Sequence, residues 1–222
     1  NKTNYFYTEK LFLNKCDGLI CTSHPLKVLY ESDFLKIPAV FIPHGSKIKP
    51  FNENMQSLNQ KVVYYTGRFT NDIDAHTIFG AISLLRAENV KFVWIGLNES
   101  QIDELAKLAA VFGITENVDL KGWMSHTDMG KVLTDNPGIG LAAYKLSRDA
   151  TSIICPTKIM DYYANSMPVV APNLPIMQGI IQDGVQGLLY RVESPESLAN
   201  AIKVIFSNKE IFSEFAHASY KT

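Results

Sequence analysis

The 222 residues carry 21 basic and 22 acidic side chains, for a net charge of −1. That balance gives no overall electrostatic pull toward nucleic acid or an anionic membrane. Hydrophobic residues make up 46% of the chain and charged ones 19%, which excludes a disordered segment and supplies a core for one large domain, or one domain plus part of another.

The first strand-like runs are "GLICT" (18–22) and "AVFIP" (39–43), each near a helical stretch. They are too little for a domain, so residues 1–48 are expected to be the end of an N-terminal domain and its hinge. The polar stretch "PHGSKIKPFNENMQSLNQK" (43–61) is crossed by no apolar period and reads as an interdomain linker, with 49–61 as its body. Six further runs follow: "VVYYTG" (62–67), "KFVWIG" (91–96), "VDLKG" (118–122), "GIGLAA" (138–143), "PVVAP" (168–172) and "GLLYR" (187–191). Most are continuous rather than alternating, as strands buried on both faces of a parallel sheet require. Helical patterns separate them. "DAHTIFGAISLLRAE" aligns Ile78, Ile82 and Leu85, "SQIDELAKLAAVFG" opens on a Ser cap and stops at Gly113, and "SPESLANAIKVIFSN" begins with Ser194, Pro195 and Glu196. Residues 62–206 are therefore expected to form a six-stranded, Rossmann-like, doubly wound α/β unit. Residues 207–222 read as a C-terminal helix, amphipathic enough to pack back against an N-terminal domain.

In such a sheet, ligands sit at the carboxyl ends of the strands, near helix N-termini. Gly67 and Arg68 follow the first strand of the unit; they read equally as a phosphate-facing loop and as a surface turn with a solvated Arg. Gly96 reads as a tight turn. Gly122, Trp123, Met124 and Ser125 bridge a strand and a helix, where Trp123 either holds a nucleobase or packs over the sheet edge. After the polar loop 144–155 comes "PTKIMDYYAN", in which Pro156 suits a first helical turn. Thr157 and Lys158 then lie at the positive end of a helix, a placement that disfavours a Lys unless an anion sits over it. Asp161 shares a face with Lys158, as an acceptor for sugar hydroxyls or as the partner in an i, i+3 salt bridge. The five histidines show no ligand spacing, so no metal site is expected. The glycines of "GIGLAA" stand at the start of a strand and do not make a dinucleotide fingerprint.

Cys16, Cys21 and Cys155 have no paired spacing and read as reduced thiols of a cytosolic protein. No apolar run approaches the roughly 20 residues that span a bilayer. The chain starts at Asn1 without a signal-like segment and is expected to be a fragment of a longer protein.

In order and spacing, "TGR", "VDLKGWMSHTDM", "CPTKIMDYYANSMPVVAPNLP", "QDGVQGLLY" and "SPESLANAI" resemble the C-terminal, donor-binding half of GT-B glycosyltransferases of the group 1 (family-4-like, retaining) type. The upstream "AVFIPHGSKIKPF" resembles that family's hinge. The resemblance implies an enzyme that moves a sugar from a UDP-, GDP- or ADP-linked donor to a glycan or lipid-linked acceptor without a cofactor or metal. It implies Arg68 and Lys158 at the diphosphate and Asp161 at the ribose, where Glu is usual. Gly67 would lie beside the phosphates, and backbone around Gly122, Trp123 and Met124 at the base. Ser152, Thr157 and the loop 147–155 would surround the phosphates and sugar. Its setting would be bacterial polysaccharide synthesis in the cytoplasm, at the inner face of the membrane. Three departures stand out. Ile73 and Asp74 occupy the place of a usual Lys, Ile153 that of a usual Glu, and Ser166 that of a usual Gly. A nucleotide-sugar epimerase and a non-catalytic nucleotide-binding domain are the competing readings.

Overall fold

Eight apolar stretches of the sequence become eight strands, with ends within two residues of the sequence pattern. The computed structural model describes residues 11–13, 15–33, 37–47, 50–53, 60–146 and 155–222. Strands β1 (Leu19–Cys21) and β2 (Ala39–Phe41) pair in parallel across helix α1 (His24–Asp33). The outer positions of this two-stranded sheet are apolar and exposed: Ile20 is 69% accessible, and Val40 and Ile42 nearly half.

The larger sheet comprises β3 (Val62–Thr66), β4 (Lys91–Leu97), β5 (Val118–Gly122), β6 (Ile139–Leu141), β7 (Val169–Pro172) and β8 (Gly187–Tyr190). All its pairings are parallel, in the order β5-β4-β3-β6-β7-β8. Its central strands are buried on both faces; every residue of β3, β6 and β7 is inaccessible. The edge strand β5 instead exposes Asp119, paired with Lys121 at 2.8 Å, and these charges discourage another strand from adding there. The strand order reverses between β3 and β6, so a crevice opens between their carboxyl ends.

Helices α2 (Ala75–Leu84), α3 (Glu99–Val111), α4 (His126–Asp135), α5 (Thr157–Ala164), α6 (Pro175–Gln178), α7 (Pro195–Ile205) and α8 (Lys209–Tyr220) complete the unit. Side chains at the N-termini of α2, α3, α4, α7 and α8 satisfy amides that the helix leaves unpaired, whereas α5 and α6 have no such cap. Asp74 accepts from the Thr77 amide, Ser125 from that of Asp128 and Ser194 from that of Ser197. The cap of α3 is Asn98, not the expected Ser100. β4 runs one residue beyond Gly96 to the buried Leu97, and Asn98 and Gln101 then bond reciprocally at 2.9 and 3.1 Å. Pro156 stands at the N-cap of α5 rather than inside its first turn. Helix α6 has no sequence expectation behind it, because four residues are too few to show a period.

Tyr162, on α5, ties that helix to the middle of the sheet. Its hydroxyl accepts from the Thr66 amide at 2.9 Å and the Thr66 hydroxyl at 3.2 Å, and donates toward the Leu141 carbonyl at 3.2 Å. The ring lies on Gly140, where an added Cβ would fall 2.2 Å from ring carbons. Ser166, just past α5, takes a left-handed φ of 59° and is fully buried. Its hydroxyl accepts from the Asn52 amide at 3.3 Å, a contact glycine could not make.

The described part of the segment read as a linker is fastened to the larger unit. Asn52 donates to the Thr134 carbonyl at 2.8 Å, and Phe51 lies 4.2 Å from the His217 ring and 5.5 Å from that of Tyr220. Helix α8 buries Phe212, Ala216 and Ser219 and packs on α5 and α7. The apolar stripe expected to seek an N-terminal domain is thus covered by the sheet unit and by Phe51.

Candidate functional site

The loop after β3 is held from both sides: the Gly67 amide donates to the Ile95 carbonyl at 2.8 Å, and Trp94 Nε1 donates to the Gly67 carbonyl at 2.9 Å. Gly67 has φ 129° and Gly96 φ 110°. A Cβ on Gly96 would lie 3.2 Å from the Gly67 backbone, so these two glycines let the loops after β3 and β4 touch. Gly96 therefore serves close approach between two loops rather than the tight turn the sequence suggested. Asp74, capping α2, and the buried Ile73 occupy the positions where the resemblance leads one to expect a Lys.

A cavity of about 420 Å³ lies over these loops and the N-terminus of α5. Gly67, Arg68, Trp123, Met124, Thr157, Lys158 and Asp161 all line it. Gly122 sits one residue behind, at the end of β5, and Ser152 and Ile153 fall outside the described residues. Volume alone does not pick out this place. A groove of about 820 Å³ opens between α2 and α3, but its basic side chains, His76, Lys107 and Lys145, are all exposed.

Lys158 gives the cavity its character. Its ammonium donates to the Tyr65 hydroxyl at 2.7 Å and the Tyr144 hydroxyl at 3.3 Å, and stands 4.1 and 4.9 Å from the two ring centres. The side chain runs past Gly67, where a Cβ would sit 3.7 Å from Cε. Among the described residues no carboxylate pairs with it, so the i, i+3 salt bridge to Asp161 is not formed. Burial pushes its pKa down to about 7, offset only partly by the charge of Asp72. Burial also raises the Tyr65 and Tyr144 phenols, so both stay neutral.

Asp161 accepts from the Ser46 hydroxyl at 2.8 Å. Trp123 is 81% exposed and so is not packed over the sheet edge, while Met124 is half-buried against the core. Arg68 is exposed at the rim. The cavity thus joins a cation with no counter-ion among the described residues, a helix N-terminus, a carboxylate and an open aromatic face. That set can hold an anion at one end and a polar ring system at the other. Tyr65 and Tyr144 were not among the sequence candidates. Tyr144 comes shortly after a strand, the place where ligand residues are expected, whereas Tyr65 is hidden inside one.

Fold and site together define the Rossmann-like C-terminal half of a GT-B protein. The family description "Glycosyl transferases group 1" matches residues 47–222, and the chain belongs to that family. Among curated relatives, the lipopolysaccharide core biosynthesis glycosyltransferase LpsE of Rhizobium meliloti is 24% identical over 161 residues, covering 72% of this chain and 44% of LpsE. Sucrose-phosphate synthase from Thermosynechococcus elongatus superposes with a TM-score of 0.79 at 17% identity, over 100% of this chain and 56% of that one. An Anabaena HepE structure with UDP and glucose gives 0.73 at 16% identity, over 93% and 58%. An S. aureus TarM mutant with fondaparinux, α-GlcNAc-glycerol and UDP gives 0.75 at 20% identity, over 94% and 40%. The chain spans about half the length of these relatives. Among its described residues, no helix is long and apolar enough to cross a membrane.

Proposed function

We propose that this chain is the donor-binding half of an enzyme that transfers a sugar, with retention, from a nucleoside-diphosphate sugar to a glycan, lipid-linked or other acceptor. The observation that carries the reading is the Lys158 ammonium, held by two tyrosine hydroxyls and by no counter-ion among the described residues, at the switch point of the sheet. In this reading Lys158, Arg68 and the N-terminus of α5 take the diphosphate, Asp161 the ribose hydroxyls, and Trp123 with Met124 the base. As the glycosidic bond breaks, negative charge gathers on the diphosphate leaving group. Fixed cations and helix amides stabilise that charge without a metal ion. The UDP in the TarM and HepE structures supports the donor class, and the likeness to the lipopolysaccharide core glycosyltransferase LpsE supports surface-polysaccharide synthesis as the setting.

Titration with UDP, GDP and ADP tests this. One of the three should bind with micromolar to submillimolar affinity, and Trp123→Ala and Asp161→Ala should each weaken it about tenfold, the loss of a stacking face or a charge-assisted hydrogen-bond acceptor. No binding at millimolar nucleotide, or affinities unchanged in both variants, would refute the donor site. The non-catalytic reading draws on Asp74 and Ile73 standing where a Lys is usual. It gains if nucleotide binds but the longer protein transfers no sugar.

A pH dependence follows. A bound diphosphate favours protonated Lys158, and above pH 7 the free protein must take up that proton to bind. Phosphate groups are fully ionised above about pH 7. Nucleotide affinity is therefore expected to fall between pH 7.5 and 9.5, by as much as about tenfold per unit. A flat or rising profile by calorimetry would contradict this assignment of Lys158.

A further inference from the structure

Among the described residues, the arrangement around Lys158 is unusual in what it omits. A lysine fixed inside a protein is ordinarily held by a carboxylate, which anchors the ammonium and also cancels its charge. Here the anchors are two neutral phenols. Tyr65 is fully buried and Tyr144 6% exposed, so neither ring has freedom to leave. Their oxygens take two of the three ammonium protons, and their faces offer the attraction of an aromatic ring for a cation. The third proton has no acceptor among the described residues, and the ammonium lines the cavity. The other charged and titratable groups around the cavity are Asp161, engaged by Ser46, the rim residue Arg68, the exposed His126 at the start of α4, and Cys155; Asp72 acts from further off.

We propose that Tyr65 and Tyr144 are positioning residues for donor binding: a neutral cage that fixes the Lys158 ammonium while leaving its charge and one proton for the diphosphate. The proposal rests on the donor-site reading above. A lysine side chain is long and flexible, and a ligand that had to immobilise it would bind more weakly. The cage carries out that ordering before the ligand arrives. Gly67 borders it: a Cβ there would just touch the lysine stem, 3.7 Å from Cε.

The test is UDP titration of Tyr65→Phe, Tyr144→Phe and the double variant, with Lys158→Ala as reference, each followed from pH 6.5 to 9.5. Phenylalanine keeps both rings and removes only the oxygens, so thermal unfolding should stay within a few degrees of the parent. Each single change should weaken UDP about three- to tenfold, and the double change more. The pH at which affinity falls should move downward, because the ammonium has lost acceptors that favoured it. A purely structural tyrosine would not move that midpoint. If Lys158→Ala loses binding while all three phenylalanine variants keep the parent's affinity and midpoint, the cage is overturned and the donor site stands. If Lys158→Ala itself binds UDP normally, the donor site falls.

Discussion

Lys158→Ala is expected to weaken nucleoside diphosphate binding by about 30- to 1000-fold, the loss of a desolvated, charge-assisted contact worth roughly 2–4 kcal/mol. The same change should leave the free protein as stable as before, or more so. Because burial lowers this lysine's pKa from its unfolded value, the folded state carries a cost for the ammonium below pH 7. As pH rises from about 7 toward 10.5, the folded protein holds fewer protons than the unfolded chain, and the cost is relieved. The stability gained by the alanine variant should thus be largest in mild acid and vanish near pH 10.5. Thermal unfolding with and without UDP reads both effects. The parent should gain melting temperature with ligand; the variant should start level or higher and gain little. A variant that melts well below the parent at pH 6 would mean Lys158 holds the fold together, and the functional assignment would lose its main support.

The second large effect is expected at Gly140→Ala. Its new methyl would fall 2.2 Å from the Tyr162 ring, and neither side can yield cheaply. Gly140 lies in β6, opposite Tyr64 on one side and Val169 on the other, while Tyr162 is pinned through its hydroxyl to Thr66. Overpacking of this kind costs about 3 kcal/mol or more, a substantial part of a domain's whole stability. For a chain of this size that is a fall of roughly 6–12 °C in melting temperature. Pairing it with Tyr162→Leu should recover part of the loss, since the smaller side chain makes room; a purely additive double variant would disprove the steric explanation. Had Gly140 belonged to a phosphate-binding fingerprint, alanine would weaken nucleotide binding and leave stability alone.

Much of this architecture is legible in the sequence because strands buried on both faces write themselves as unbroken apolar runs. "VVYYTG" and "PVVAP" are strands in the structure for that reason. Helix starts were less certain. Asn98 and Ser100 are both good caps, and only the burial of Leu97 at the end of β4 decides between them. Of the candidate site, the residues that follow strands or open helices could be picked out, since the fold class dictates where such residues gather. What could not be read was contact across distance. Ser46 meets Asp161 from 115 positions away, and Tyr65 reaches Lys158 from 93. Tyr65 also sits in a run whose burial fully accounts for it, so nothing local distinguishes its hydroxyl from a packing residue's. Trp123 was open to two readings in the sequence, and its exposure leaves its ring face free for a ligand.

The fastening of the segment before β3 bears on how the chain tolerates being shortened. A cut at Lys61, where the first strand of the sheet begins, looks harmless by its pattern. It would uncover the aromatic seat of Phe51 on α8, leave the Ser166 hydroxyl and the Thr134 carbonyl without Asn52, and strip Asp161 of Ser46. A truncated form meant to report on nucleotide binding has to begin upstream of Ser46, because a shorter one would lose affinity for reasons unrelated to the ligand.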